Sequence, residues 1–438
     1  MLQLINKDLW FDNEKLFIIR GNENKNTYEK NYDSYPDAQK HSGEDESETN
    51  YKPTIIYMSS LTCNLKCKYC YAGGGEYGEN HNMRFFTFEN YVKTYDYMFK
   101  KYNGISNINF FGGEPLLNFE EIKKFVEYIY QNYSAKDIPT MSFATNLTIM
   151  NEEIKDFIKK YHILIGSSLD GPKDLNDLVR VGSVNSVYDE VVKNLNYLSD
   201  VDVKKAVQIT ISKNHIENYK KGDVINWIKE IEKLPIDVYE VICVFSDNKD
   251  LKIDLNDDKM RDNYIQFCED YVDYSLSILK DKEPHKSFPS SISAVLLRIM
   301  KREPASVCGA GYSFSITPDL KIYPCHIFAD KVEFGVNFSE DEDLEQSIEN
   351  NKFFMDTRKC DTTTISECNN CVAKNLCSVF CKGCIYKHSG NFSGIVEDRC
   401  ILQKIFVTKA IKFLVTDYKK YEDIVNDNLY YYQSQLDK

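Results

Sequence analysis

Apolar residues in the first half of the chain recur in two alternating rhythms. Short β-branched and aromatic runs stand at residues 53–59 (PTIIYMS), 108–113 (INFFGG), 141–145 (MSFAT), 163–169 (ILIGSSL), 205–212 (KAVQITIS) and 239–245 (YEVICVF). Runs of that length and composition read as strands buried on both faces. Between them the spacing turns helical. Ile122, Phe125, Val126, Ile129 and Tyr130 share one face of a helix predicted over 118–133. Asn118 with Glu121 is the expected cap of that helix, Asn151 caps a second ahead of Ile154, Phe157, Ile158 and Tyr161, and Ser186 with Asp189 opens a third ahead of Val191, Leu195 and Leu198. Six strand–helix repeats predict an α/β fold: a parallel sheet with right-handed crossovers, partly or fully closed into a (β/α)6 barrel, with its chemistry at the C-terminal strand ends.

The flanks follow other patterns. Residues 1–20 (with LWFDNEKLFII) predict a small hairpin, and residues 21–52 are polar enough to read as a linker. The expected organisation is an N-terminal hairpin and linker at 1–52, a partial barrel at 53–255, a helical bridge at 256–305, a cysteine-rich domain at 306–402 and a C-terminal helix and tail at 403–438.

Charge and composition narrow the function classes. The net charge is −13 and the Lys and Arg residues form no stripe, so nucleic acid is not an expected partner. No apolar run approaches the ~18 residues of a membrane span, and the N-terminus MLQLINKDLW has no secretory pattern. A cytoplasmic protein without a membrane partner is expected. Fourteen cysteines then point to metal ligation rather than disulfides. Three lie within residues 63–70 and nine within 308–400, while Cys243 and Cys268 stand apart and read as small core residues.

Cys63, Cys67 and Cys70 follow the first barrel strand with spacing Cys-x3-Cys-x2-Cys. Three thiolates on one loop hold three irons of a [4Fe–4S] cube and leave the fourth iron open to another ligand. A zinc site using two of the cysteines, or a redox pair at Cys67 and Cys70, are the competing readings. With Tyr69 at the aromatic position, the segment resembles the Cys-x3-Cys-x-aromatic-Cys motif of the radical S-adenosylmethionine (SAM) superfamily. The resemblance extends in order along the strand ends. Gly112-Gly113-Glu114-Pro115 resembles the motif that meets the SAM amino group, and Thr145-Asn146 stands where ribose contacts are found. Ser168-Leu169-Asp170-Gly171-Pro172 resembles a further segment in which Ser168 and Asp170 would meet the ribose or methionyl portion, and Arg180 stands where an arginine meets the methionyl carboxylate. The resemblance implies SAM and a [4Fe–4S] cluster as cofactors, one-electron cleavage of SAM to a 5′-deoxyadenosyl radical, and an external electron donor such as flavodoxin or ferredoxin.

The second cysteine group is Cys308, Cys325, Cys360, Cys368, Cys371, Cys377, Cys381, Cys384 and Cys400. All-thiolate sites suit Fe–S clusters or a structural zinc. The arrangement resembles the SPASM domain of radical SAM enzymes that modify peptides. That resemblance implies two auxiliary Fe–S clusters: a distal one on Cys368, Cys371, Cys377 and Cys400, and a proximal one on Cys308, Cys325 and Cys381. Where some members carry another cysteine, this chain has Tyr312-Ser313-Phe314-Ser315. The fourth proximal position then falls to Cys384, to Cys360 or to a substrate cysteine.

The implied function is maturation of a cysteine-containing peptide. His326, directly after Tyr323-Pro324-Cys325, resembles the maturases that link sulfur to carbon, and it is the candidate catalytic side chain. Carbon–carbon crosslinking and formylglycine formation on a sulfatase are the competing outcomes. A leader peptide would be recognised by a shortened N-terminal element, by a separate protein or not at all. A non-catalytic electron carrier or zinc-stabilised binding module is the rival from another class.

Overall fold

The computed structural model describes residues 2–38, 51–78, 81–182, 184–246, 248–304, 308–377 and 380–436. The six expected strands form: β4 (Thr54–Ser60), β5 (Asn107–Gly112), β6 (Thr140–Ala144), β7 (Leu164–Ser168), β8 (Lys205–Ile211) and β9 (Val238–Cys243). They follow β1 (Leu2–Asn6), β2 (Leu9–Asp12), β3 (Phe17–Arg20) and helix α1 (Asn22–Lys30). The crossovers are α2 (Phe88–Tyr102), α3 (Phe119–Asn132), α4 (Glu152–Tyr161), α5 (Lys173–Val179), α6 (Val187–Tyr197), α7 (Lys213–Ile216) and α8 (Asp223–Ile231). Neighbouring strands from β4 to β9 pair in parallel, in chain order.

Later segments extend the same sheet. After α9 (Asp258–Ile278), β10 (Phe288–Pro289) pairs in parallel with β9 and leads into α10 (Ser290–Lys301). At the other edge β11 (Phe314–Ile316) pairs in parallel with β4, and β12 (Lys321–Tyr323) and β13 (Val336–Asn337) follow antiparallel. The result is an open, ten-stranded sheet with β10 and β13 at its edges. The cysteine-rich segment is therefore joined to the barrel sheet by backbone hydrogen bonds. It continues through α11 (Leu344–Glu349), α12 (Lys352–Lys359) and α13 (Lys382–Ser389) to α14 (Glu397–Thr416) and α15 (Glu422–Leu436).

The core between sheet and helices is aromatic. Tyr57 of β4 packs edge-on against Tyr91 of α2 at 5.0 Å, and Tyr91 stacks on Phe125 of α3 at 4.8 Å. Two expected caps form: Asn151 Oδ1 accepts from Ile154 N at 2.9 Å, and Ser186 Oγ accepts from Asp189 N at 3.0 Å. The third does not. Asn118 turns inward, its Nδ2 donating to Ser59 O and Phe86 O, while Glu121 accepts from Phe88 N. Two buried carbonyls near the end of β4 outcompete the helix end for that amide.

The N-terminal expectation needs correction. Residues 2–20 form a three-stranded antiparallel sheet rather than a hairpin, and the segment read as a linker contains α1; residues 39–50 lie outside the described ones. Helix α1 has one buried side chain, Tyr28, whose Oη donates to Asp12 Oδ2 at 2.9 Å. Such a small apolar contribution leaves almost no periodic signal. The sheet braces the cysteine-rich segment: Asn13 Nδ2 donates to Cys371 O at 2.7 Å, and Asn375 Nδ2 to Asn13 O at 2.9 Å. The C-terminal tail is likewise a second helix, held by Tyr432 stacked on Phe288 at 4.2 Å.

The turn after β5 explains its glycines. Gly112 has φ 130°, and a Cβ there would stand 2.1 Å from Ser60 O; at Gly113 it would stand 2.2 Å from Thr62 O. Backbone thus passes directly against the start of the first cysteine loop. Gly112→Ala is expected to destabilise the protein by on the order of 3 kcal/mol, seen as a lowered thermal midpoint.

Candidate active site

The C-terminal ends of the strands open on one cavity of about 550 Å³. Cys63, Cys67 and Cys70 line it, on the loop that leaves β4. The loop is held by the segment after β7: Lys66 N donates to Val181 O at 2.6 Å and Lys68 N to Val179 O at 2.8 Å. Burial pushes the Cys67 thiol up to about 11 and also raises Cys63. Thiols in such surroundings ionise when a cationic centre takes them as ligands.

The glycine turn and the next strand end complete this wall. Gly112, Gly113, Thr145, Asn146 and Ser168 all line the cavity, and Asn146 Nδ2 lies 3.6 Å from Cys63 Sγ. Two predicted binding residues do not reach it. Glu114 is fully buried and accepts three hydrogen bonds, from Thr145 Oγ1 (2.7 Å), Asn146 N (2.7 Å) and Leu116 N (3.0 Å). It fixes the residues that face the cavity rather than facing it. Asp170 is also fully buried: Thr210 N donates to one oxygen at 2.9 Å and Tyr69 Oη to the other at 2.5 Å. Both carboxylates sit at strand ends whose register turns them toward the neighbouring strand.

Arg180 is buried at 5% exposure and lines the cavity beside Cys67. Its Nη1 donates to Tyr69 Oη at 2.8 Å, while its Nε is buried with no protein partner. A buried, unpaired guanidinium N–H calls for an anionic acceptor. Three thiols on one loop, a cavity of about 550 Å³ and this buried donor fit a three-thiolate [4Fe–4S] cluster with SAM beside it. Among the described residues no three His, Cys, Asp or Glu side chains converge on a point that suits a single ion.

The same cavity is also lined by His326, Cys384 and Arg399. His326 stacks on Phe111 at 4.4 Å, and its Nδ1 lies 2.6 Å from Tyr71 Oη, which lies 3.2 Å from Tyr77 Oη. Burial brings the His326 pKa down to about 4, so the ring is neutral near pH 7.

Sequence reasoning missed a polar row. Ser168, Gln208 and Glu240 stand in register across β7, β8 and β9, and all three line the cavity. Glu240 accepts from Ser290 Oγ at 2.5 Å and from Ser291 N and Oγ, while burial raises its pKa. The available signal was Gln208 and Glu240, each a polar residue flanked on both sides by apolar ones in its strand. The lone cysteines behave as expected: Cys243 and Cys268 are 2% and 0% exposed, although Cys243 also touches the cavity wall.

A second, smaller pocket gathers Cys368, Cys371, Cys377, Cys381 and Cys400. Arg399 borders both pockets. Burial lifts Cys368 and Cys400 to about 11. Cys308 and Cys325 are electrostatic neighbours of Cys381, which lines this second pocket. Cys360 is buried in an apolar cluster with Ile365 and Ile385, against which Cys368 also packs.

Residues 57–257 match the radical SAM superfamily. An uncharacterized protein of Methanocaldococcus jannaschii is 43% identical over 126 residues, which is 29% of this chain and 41% of that protein. The cysteine-type anaerobic sulfatase-maturating enzyme of Clostridium novyi is 26% identical over 82% of this chain and 95% of its own length. The radical SAM cyclopropyl synthase TigE of Paramaledivibacter caminithermalis is 24% identical over 82% of this chain and 74% of its own. Among solved structures, anSMEcpe with bound AdoMet and Cp18Cys peptide superposes with a TM-score of 0.66 at 19% identity, covering 85% of this chain and 98% of that one. Streptococcus suis SuiB bound to precursor peptide SuiA gives 0.53 at 16% identity, covering 80% and 76%. These two likenesses show the fold.

Proposed function

Because this chain is a radical SAM superfamily enzyme, we propose that it modifies a cysteine-containing peptide and joins the cysteine sulfur to a substrate carbon. The observation that carries this reading is the shared cavity, which the three-cysteine loop lines together with His326 and Cys384. A relative named for sulfatase maturation, and neighbours holding peptides, support the substrate class.

When bound, SAM and the [4Fe–4S] cluster supply a radical that takes hydrogen from an unreactive C–H bond. The chain's own residues do the rest. Cys63, Cys67 and Cys70 hold the cluster. Arg180 Nε meets the methionyl carboxylate, and Thr145, Asn146 and Ser168 present polar atoms to the ribose. Glu114 and Asp170 act one layer behind, fixing Asn146 and Tyr69. His326 meets the substrate as an uncharged hydrogen-bonding group whose orientation Tyr71 sets. Apolar wall residues such as Phe111, Val207 and Ile327 exclude water. Distal thiols Cys368, Cys371, Cys377 and Cys400 would hold one auxiliary cluster, and Cys308, Cys325 and Cys381 belong to another.

A sulfur–carbon crosslink removes two hydrogens from the peptide: one is the atom the radical takes, the other leaves the thiol as a proton, and the surplus electron would pass to an auxiliary cluster. Anaerobic incubation with SAM, a reductant such as flavodoxin or ferredoxin and candidate peptides is expected to yield 5′-deoxyadenosine and a peptide lighter by two hydrogens. The second reading is formylglycine formation on a sulfatase peptide, favoured by the near end-to-end match to the Clostridium novyi enzyme. An aldehyde-bearing sulfatase peptide, with cysteine peptides unchanged, would select it.

A further inference from the structure

We propose that Cys384 supplies the fourth thiolate of the proximal auxiliary cluster, replacing the cysteine that Tyr312-Ser313-Phe314-Ser315 lacks. The inference rests on the auxiliary-cluster reading above and names a ligand that reading leaves open.

Helix geometry begins the argument. Cys381 is the residue before the first turn of α13, and Cys384 lies three positions later. That spacing puts both thiols on one side of the helix start. Cys384 is 3% exposed, and Cys308 and Cys384 are the thiols that act most strongly on Cys381.

Two local devices draw the remaining segments to this turn. Gly383 lacks a Cβ that would come within 2.7 Å of Ile327 Cγ2, so α13 lies directly against the turn carrying Cys325 and His326. Lys382 is 1% exposed, and its Nζ donates to Ala310 O at 3.1 Å, which holds α13 to the segment carrying Cys308. Cys325 is an electrostatic neighbour of Cys308, Cys381 and Cys384. Four thiols from three segments therefore surround one small region. They do not converge as closely as ligands of one ion must, since no single-ion set forms among the described residues. A cube of iron and sulfide is a larger body, and its thiolates stand farther apart.

The alternatives fit less well. Cys360 packs with Ile365 and Ile385, its Sγ faces Phe392 O at 3.9 Å, and its thiol neighbours are Cys308 and Cys368, the latter a distal ligand. Tyr312 offers no thiolate and is 51% exposed. Arg399 stands beside both Cys381 and Cys384, a cation placed to balance an anionic cluster. Cys384 also lines the main cavity. A proximal cluster ligated there has no open iron, yet one of its thiolates faces the substrate. It is then an electron acceptor beside the reaction and not a substrate anchor.

The test uses the full chain, reconstituted anaerobically, as wild type and as Cys384→Ala, Cys384→Ser, Cys360→Ala and Cys308→Ala. Iron and sulfide content and the EPR spectrum of the reduced protein are read with and without a small added thiol. Wild type and Cys360→Ala are expected to carry the same clusters and to ignore the thiol. Cys384→Ala is expected either to lose about four irons per chain or to keep a cluster whose spectrum now shifts with added thiol. Cys384→Ser, which keeps the side-chain size, is expected to fold as wild type and alter the same signal. A wild-type signal that itself shifts with thiol, or a Cys384→Ala protein identical to wild type, overturns the proposal. If Cys308→Ala also matches wild type in iron and spectrum, the auxiliary-cluster reading fails with it.

Discussion

Cys67→Ala is expected to abolish reductive cleavage of SAM while leaving the fold intact. The side chain carries no hydrogen bond that holds the loop, which is fixed by the backbone of Lys66 and Lys68 against Val181 and Val179. Removing one of three thiolates leaves two irons of the cube without protein ligands. The protein should lose about four irons per chain and retain its circular dichroism. Cys63→Ala should lose the same function with an added cost, because Leu65 N and Asn146 Nδ2 both lie against Cys63 Sγ. Iron analysis and chromatographic assay of 5′-deoxyadenosine check both variants. Normal cleavage by Cys67→Ala would remove this loop from the site.

His326→Ala separates the two halves of the chemistry. The ring lines the same cavity beside the end of the cysteine loop and touches Tyr71 and Phe111, not Thr145, Asn146 or Arg180. SAM should therefore still be cleaved. Peptide product should fall by about 10²-fold or more, the usual scale for losing a positioned acid–base or hydrogen-bonding side chain. His326→Gln restores a neutral hydrogen-bonding group and is expected to recover part of that loss. The ratio of 5′-deoxyadenosine to modified peptide measures the uncoupling. Equal losses in both would place His326 with the SAM-binding residues instead.

The parts legible in the sequence and the parts that were not differ for physical reasons. Strands β4 to β9 are covered on both faces, so each appears as an apolar run with glycine or polar residues at its end. Cys63, Cys67 and Cys70 were legible because ligands on one loop have fixed spacing. Gly112 and Gly113 were legible because close backbone approach tolerates no side chain there. Glu114 and Asp170 were found, but their direction was not. A polar residue at a strand end can face the cavity or the next strand, and only register decides. Gln208 and Glu240 were hidden for a related reason: each stands between apolar neighbours in its own strand, and only pairing of β8 with β9 sets them side by side. At the N-terminus, α1 docks through Tyr28 alone, too little for a hydrophobic period to register. Proximity of Cys384 to Cys308 and Cys325 depends on Gly383 and Lys382, neither of which announces such a role in the sequence.

Spectroscopy of the reduced, anaerobic protein with isotope-labelled SAM tests the central claim, that three thiolates hold a cluster with one iron left for SAM. The account predicts magnetic coupling between the cluster and the labelled SAM carboxylate, lost in Cys67→Ala. A spectrum unchanged by SAM and free of coupling to the label, in protein with its full iron content, would contradict it.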